Sequence, residues 1–267
     1  MHGAYMLNCM VHRRSISAKR SAPPAASRKP AGGLRAYDPS AFPRPSLTVD
    51  VVLLAVSAGA LFTVLYRRRE EPFRGRWALP GGFVRMDESL DDAAERVLRT
   101  KVDVGGVFLE QLYTFGSPAR DPRTRVISVG YVGLVHRLRL AERTADRSIA
   151  RLVVPWEGET GGPVHALDAG SRRLTLAFDH REMLGMAVKR LRGKLNYSPI
   201  GFQLLPERFT LLELQQVHET VLARPLNKDS FRRRMLASGQ LDATGETQAE
   251  VDHRPAELYR FARRSAV

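Results

Sequence analysis

The sequence predicts an α/β domain followed by an α+β domain of the winged helix-turn-helix type. Three observations carry that expectation. Strand-like apolar runs broken by turn residues fill the chain up to Phe178, helical periodicity takes over from Asp179, and two short extended pieces follow the last helix. A length of 267 residues suits two domains of ordinary size, and an apolar share of 43% is enough to give each a core.

Charge is spread unevenly. Residues 1–37 hold seven Lys or Arg and no acid, residues 38–168 hold 18 basic and 17 acidic side chains, and residues 169–267 hold 17 basic and 11 acidic. The middle is nearly neutral, and both ends suit a polyanion. The single cysteine, Cys9, excludes an internal disulfide and any cysteine-built metal cluster, and the seven histidines lack ligand-like spacing. No metal site is therefore expected. The N-terminal stretch, with Arg13-Arg14, Lys19-Arg20 and Pro23-Pro24, superficially resembles a transit peptide but lacks the apolar core of a signal peptide. It reads as a disordered basic tail over residues 1–36, or as translation assigned too far upstream, and the protein is expected in the cytoplasm.

Order is expected from about Ala36. The apolar stretch Val51 to Tyr66 is too short for a bilayer core, which needs about 20 residues, and Ser57-Ala58-Gly59-Ala60 inside it fits a tight turn. A buried β-hairpin follows. Next come a Gly- and Pro-rich loop, Trp77 to Phe83, and a helix from Ser89 to Lys101, with Ser89 and Asp92 in capping-box register. Val107–Phe115 and Arg125–Val135 read as strands, residues 137–151 as loop or short helix, and Val153–Trp156 and Leu174–Phe178 as strands around a Gly-rich connection. Asp179 with Glu182 reads as a capping box for a helix whose buried face is Met183, Leu184, Ala187, Val188 and Leu191. Thr210 with Glu213 starts a second helix that Pro225 stops. A third runs from Asn227 to Ala237 and ends at Gly239. Extended pieces at Gln240–Thr244 and Ala256–Phe261 complete a winged helix-turn-helix. The resulting organisation is a first domain over 37–170 and a DNA-binding domain over 171–267.

Gly82, Glu88, Arg96, Leu98 and Val104 stand in the register of the Nudix box, G-x5-E-x7-R-E-U-x-E-E-x-G-U with U apolar. The segment resembles that box, and its lead-in Trp77-Ala78-Leu79-Pro80-Gly81-Gly82 resembles that family's. The resemblance implies a Nudix-fold α/β/α sandwich. In that family a magnesium ion sits on the carboxylates of R-E-U-x-E-E, because an oxygen-rich cluster suits a hard cation. Here those positions are Val97, Thr100 and Lys101, which at i, i+3 and i+4 are expected to share one acid-free helix face. Asp91, Asp92 and Glu95 cluster elsewhere on the helix, and Asp103 replaces the last glycine of the box. The expectation is therefore no catalytic residues, no metal and no hydrolysis. Lys101 would place an ammonium where the metal sits and bind a pyrophosphate without it; the plain alternative is a solvated lysine.

Phe83 and Arg85, beside the box glycine, are the favoured ligand contacts, together with Glu88, Arg96 and Lys101 of the box region. Trp77 and Tyr113 are candidate stacking platforms and Arg125 a candidate phosphate contact, each with core packing or a strand edge as the ordinary alternative. In the third helix, Phe231 and Met235 lie one turn apart and should face inward. That turns Arg233 and Ser230 toward base edges and Lys228, Arg232 and Arg234 toward phosphates. In the wing, Thr244 and Gln248 flank the expected tip, and Arg254 is a phosphate candidate.

Three further stretches, Tyr37 to Ser46, Leu226 to Arg233 and Arg254 to Phe261, together with the box, resemble the NrtR family of Nudix-related transcriptional regulators of NAD metabolism. That resemblance implies a homodimeric repressor on a palindromic double-stranded DNA operator, controlling NAD biosynthesis or salvage genes. It also implies ADP-ribose or a related nucleotide as the releasing effector, with no other cofactor and no membrane partner. Two readings compete with it: an ADP-ribose pyrophosphatase with an accessory domain, and a catalytically dead interaction module with a basic C-terminus.

Overall fold

A computed structural model describes residues 38–140, 146–195, 197–249 and 255–262. Contacts divide the chain at Pro43 into a short leading unit and a second unit from Arg44 onward. The described part of the first is a single 3-10 turn, Pro39–Ala41, capped by the Asp38 carboxylate, which accepts the Ser40 N–H at 2.8 Å.

The second unit is built on a mixed sheet. β1 (Ser46–Ser57) and β2 (Ala60–Arg67) form the expected hairpin, turning at Ala58 and Gly59 with φ of 44° and 69°. Positive φ at both turn residues gives the twist that matches a two-residue hairpin. β3 (Trp77–Ala78) and β4 (Gly81–Phe83) are short pieces paired to β2 and β1. Helix α1 (Leu90–Val97) starts at Ser89, whose side chain and that of Asp92 form the complete capping box. β5 (Phe108–Phe115) and β6 (Val126–Leu134) follow, then β7 (Arg147–Val153) and β8 (His165–Leu167). The strand order is β5-β6-β1-β2-β7-β8, with β1 and β6 parallel and the other pairs antiparallel.

Both faces of this sheet are covered. Along β1 the side chains alternate: Val49, Val51, Leu53 and Ala55 pack with α1, and Val52, Leu54 and Val56 pack on the opposite core. That second core continues into α2 (His180–Lys194) and α3 (Leu211–Leu222), so the sheet and the C-terminal helices share it. α4 (Lys228–Ala237), β9 (Leu241–Thr247) and β10 (Glu257–Phe261) complete the chain, with Phe209 bridging to Tyr259 as a one-residue third strand. Among the described residues no helix is long and apolar enough to cross a membrane.

Several sequence expectations change. The helix of the box does not run regularly to Lys101: α1 ends at Val97 and a π-helical turn, Leu98–Val102, takes over. The wider winding breaks the i, i+3, i+4 phasing. Val97 is buried in the core, whereas Thr100 and Lys101 open onto the cavity described below, so the three box positions do not share a face. Leu174–Phe178 forms no strand, only an isolated bridge at Leu176, and the Gly-rich connection contains the unforeseen β8. The stretch read as loop or short helix holds a 3-10 turn, Arg137–Arg139, and the start of β7, because β7 pairs along the edge of β2. Most consequential is Asp179. It occupies the N-cap of α2 but makes no capping bond, because its carboxylate is drawn to Arg120.

Candidate functional site: a cationic cavity and an arginine-bearing helix

A cavity of about 630 Å³ opens beside the Gly-rich loop, a volume suited to a nucleotide-sized ligand. Its floor is Asp50, the one charged residue of the mostly apolar β1 and only 7% exposed. Burial of a carboxylate requires partners. Ser128 Oγ donates to Asp50 Oδ2 at 2.6 Å, the Arg120 guanidinium stands 3.6 Å from Oδ2, and His180 Nε2 stands 3.6 Å from Oδ1. Gly81 crosses directly above. A Cβ there would fall 1.9 Å from Asp50 Oδ1, so the loop reaches this depth only as glycine.

His180, the first residue of α2, is fully enclosed. Its Nδ1 accepts the Leu79 N–H at 3.0 Å, which leaves the ring proton on Nε2, facing Asp50. Burial pushes its pKa below the ordinary histidine value, outweighing the pull of Asp50 and Asp179, so the ring is neutral.

The cavity walls are cationic. Lys101 Nζ donates to the Gly81 carbonyl at 2.5 Å. Although its side chain reaches solvent, the protein around the ammonium lowers its pKa; Asp50 opposes this, and Arg68 and Arg96 add to it. Arg68 holds the Pro72 carbonyl at 2.7 Å and lies 4.8 Å from the centre of the Phe178 ring; partial burial, with Arg123 nearby, lowers its pKa. Two other wall arginines are paired with acids, Arg123 with Asp121 and Arg69 with Asp146. Could this donor set hold a hard divalent cation? The box positions offer a valine, a threonine and an ammonium, and Asp50 is already engaged by Ser128 and faced by Arg120 and His180. The arrangement does not fit a magnesium cluster, and it does suit an anion.

Of the eight ligand candidates read from the sequence, Phe83 and Lys101 line the cavity. Glu88 and Arg96 instead bind each other at 2.5 and 2.8 Å, and they hold the loop through the Phe83 carbonyl and the Arg85 N–H. The Arg96 hydrogen bonds pull Glu88 down to a pKa of about 2. Arg85 therefore contributes its backbone, and its exposed side chain is outside the cavity lining. Trp77 sits in β3, packs on the core and pairs through its backbone with the Thr175–Ala177 segment. Tyr113 lies on the edge strand β5, over half exposed and edge-on to Phe115, and Arg125 caps the Gly116 carbonyl at 2.8 Å. Sequence reasoning missed Asp50, Arg68, Arg120, Phe178 and His180. The one local signal was an aspartate inside an apolar strand run, which demands a buried partner.

At the other end, the Asn227 side chain caps α4 by accepting the Ser230 N–H at 2.9 Å. Phe231 is 3% exposed and Met235 packs against the same core, which leaves Lys228, Ser230, Arg232, Arg233 and Arg234 on the open side. Arg234 leans back, its guanidinium 5.5 Å from the Phe231 ring centre. Thr244 is not at a wing tip: β9 continues to Thr247, and Thr244 Oγ1 donates to the Leu258 carbonyl at 2.9 Å. Gln248 follows the strand, its N–H bound to the Ala256 carbonyl, and Arg254 lies outside the described residues.

α4 is seated on α3 by His218, whose ring meets Phe231 edge-on at 5.1 Å. Burial, with a smaller push from Arg234, lowers its pKa from 6.5 to about 4. Between those values the unfolded chain binds more protons than the folded one, so stability rises with pH across the window. It is lost as pH falls, by about 3 kcal/mol in all. His180, buried and neutral, adds to the same slope. In urea titrations, His218→Phe should make the slope of stability between pH 6.5 and 4 shallower by up to about one proton. An unchanged slope would mean His218 is not the group that titrates.

The NUDIX domain family matches residues 44–164, and the NrtR DNA-binding winged helix domain family matches residues 201–261. The chain is 35% identical over 231 residues to the ADPR responsive transcriptional repressor NtrR of Acinetobacter baylyi, covering 86% of this chain and 87% of that one. The crystal structure of Shewanella oneidensis NrtR complexed with a 27mer DNA aligns at a TM-score of 0.67 and 35% identity, covering 80% of this chain and 93% of that one. A MutT/nudix family protein from Enterococcus faecalis aligns at a TM-score of 0.67 and 30% identity, covering 82% of this chain and 87% of that one. The chain belongs to the NrtR family, joining a Nudix domain to an NrtR DNA-binding winged helix.

Proposed function

We propose that this protein is a transcriptional repressor whose Nudix domain binds ADP-ribose, or a closely related nucleotide, as an effector and does not hydrolyse it. The observation that carries the reading is Lys101 in the wall of the cavity, its ammonium on the Gly81 carbonyl, where the box would otherwise supply metal-binding acid. A fixed cation there meets a diphosphate directly and provides no activated water. The winged helix with its arginine face supplies the output, and the ADPR-responsive relative supports the effector class. The repressor acts as a homodimer on a palindromic operator of NAD biosynthesis or salvage genes.

The test is fluorescence anisotropy on duplexes from NAD-gene promoters, with and without ADP-ribose, at about 0.15 M salt to suppress non-specific phosphate binding. Sequence-dependent binding that ADP-ribose releases is the expected result. No preference over random DNA would sink the reading, and turnover of ADP-ribose with added magnesium would sink its non-enzymatic part. Calorimetry should find ADP-ribose affinity unchanged by EDTA. Lys101→Ala should weaken that affinity by roughly 10- to 100-fold, the worth of one charge-assisted contact. A Lys101→Ala protein that keeps full affinity would remove Lys101 from the site.

A further inference from the structure

The cavity and the first turn of α2 share one guanidinium. Arg120, its side chain 4% exposed, lines the cavity and grips both oxygens of Asp179, Nε to Oδ2 at 2.9 Å and Nη2 to Oδ1 at 2.8 Å. Its second acid, Asp50, is 3.6 Å away. Asp179 is the N-cap of α2, where an aspartate ordinarily accepts first-turn amides; here, with φ −92° and ψ 17°, its side chain caps nothing. The carboxylate thus has two competing partners, the guanidinium of the cavity and the amides of its own helix. The preceding residue, Phe178, is held at φ 51°, a left-handed conformation unfavourable for a bulky side chain. Arg68 over its ring and Phe73 edge-on at 5.0 Å keep it there, and all of these contacts belong to the cavity end.

We propose that Arg120 and Asp179 form the latch by which effector occupancy is passed to the DNA-binding end. An anionic diphosphate entering the cavity draws the Arg120 guanidinium to itself. Asp179, released, turns back to cap α2, and the strained Phe178–Asp179 segment relaxes. Pairing with a guanidinium and capping a helix are interactions of comparable worth, which is the condition for a two-state element that a ligand can tip.

The movement has a rigid route outward. Roughly 20 Å along α2, the buried Arg192 donates to the Val221 carbonyl in the last turn of α3 at 2.7 Å. α3 in turn seats α4 through the His218–Phe231 contact. A change in the first turn of α2 therefore bears on the helix that carries the DNA-facing arginines.

This inference rests on the repressor reading, and one experiment separates the two. Operator affinity (anisotropy) and ADP-ribose affinity (calorimetry) are measured on the full chain, wild type and Asp179→Asn. Asparagine still caps a helix but cannot ion-pair with Arg120, so the variant should resemble the effector-bound state. Operator binding without ADP-ribose should weaken by ~10-fold, ADP-ribose should bind several-fold tighter, and its further effect on operator binding should shrink to under ~3-fold. Opposite shifts in the two affinities are the signature, since structural damage would weaken both. Should Asp179→Asn not give a folded protein, Arg120→Lys, which keeps the cation but loses the two-pronged grip, is read in the same way for operator binding and its ADP-ribose response. A wild type that ADP-ribose does not release overturns the repressor reading and the latch with it. A wild type that is released, beside a variant released to the same extent or weakened for both ligands, overturns the latch alone.

Discussion

Arg192→Ala should lower the stability of the protein by roughly 3–5 kcal/mol. Arg192 is 1% exposed and among the described residues has no hydrogen-bonded acid; its guanidinium donates to three main-chain carbonyls, Val221 at 2.7 Å, Trp156 at 2.9 Å and Gly158 at 3.1 Å. It also stacks on the Trp156 ring at 4.6 Å. Burial lowers its pKa, so the charge is held against a desolvation penalty that these acceptors offset. Truncation deletes all of them together, leaves the buried Val221 carbonyl without this donor and opens a void between α2, α3 and the Trp156 loop. Thermal unfolding followed by circular dichroism should shift down by roughly 10 °C. Arg192→Lys should recover only part, since one ammonium cannot span the three acceptors. A shift of less than about 2 °C for the alanine variant would mean these contacts are replaced by water and the C-terminal helices are anchored elsewhere.

The second large effect falls on operator recognition. Arg233 lies two residues from both Phe231 and Met235, the two inward anchors of α4, which puts it about opposite the buried side. Arg233→Ala should weaken binding to the cognate duplex by roughly 10- to 100-fold and flatten the preference over random DNA, as loss of a base contact does. Arg232→Ala should behave differently: a similar loss on every duplex and a salt dependence shallower by about one unit, the mark of a phosphate contact. Anisotropy across a salt series on matched and random duplexes distinguishes them. Arg234→Ala should lose stability as well as a phosphate contact, because that side chain also covers Phe231. An Arg233→Ala protein with undiminished discrimination would move sequence reading to another element.

Features set by neighbours in the chain were legible in the sequence. The capping boxes at Ser89–Asp92 and Thr210–Glu213 are present as read, because both partners sit within one turn and nothing else competes for them. Asp179–Glu182 has the same spacing and fails, because Arg120, 59 residues away in sequence, takes the carboxylate. The box shows the same divide. Its register singled out Lys101, which lines the cavity, but the π-helical turn Leu98–Val102, which sets Thr100 and Lys101 apart from the buried Val97, is a local rewinding with no marker in residue type.

By itself, then, the sequence determined the β1–β2 hairpin, β5, β6 and the helices α2 to α4, the register of the box, the loss of acid at its metal positions and the arginine face of α4. Each of these follows from spacing along one segment. Tertiary structure alone decided the membership of the cavity: Asp50 from β1, Arg68 after β2, Arg120 from the β5–β6 loop, and Phe178 and His180 at the start of α2. It also decided that Glu88 and Arg96 brace each other, and that one guanidinium ties the cavity to α2. The physical reason is burial. A charged group placed inside must find its partner in space, and closing of the sheet selects that partner across tens of residues, where no periodicity records it.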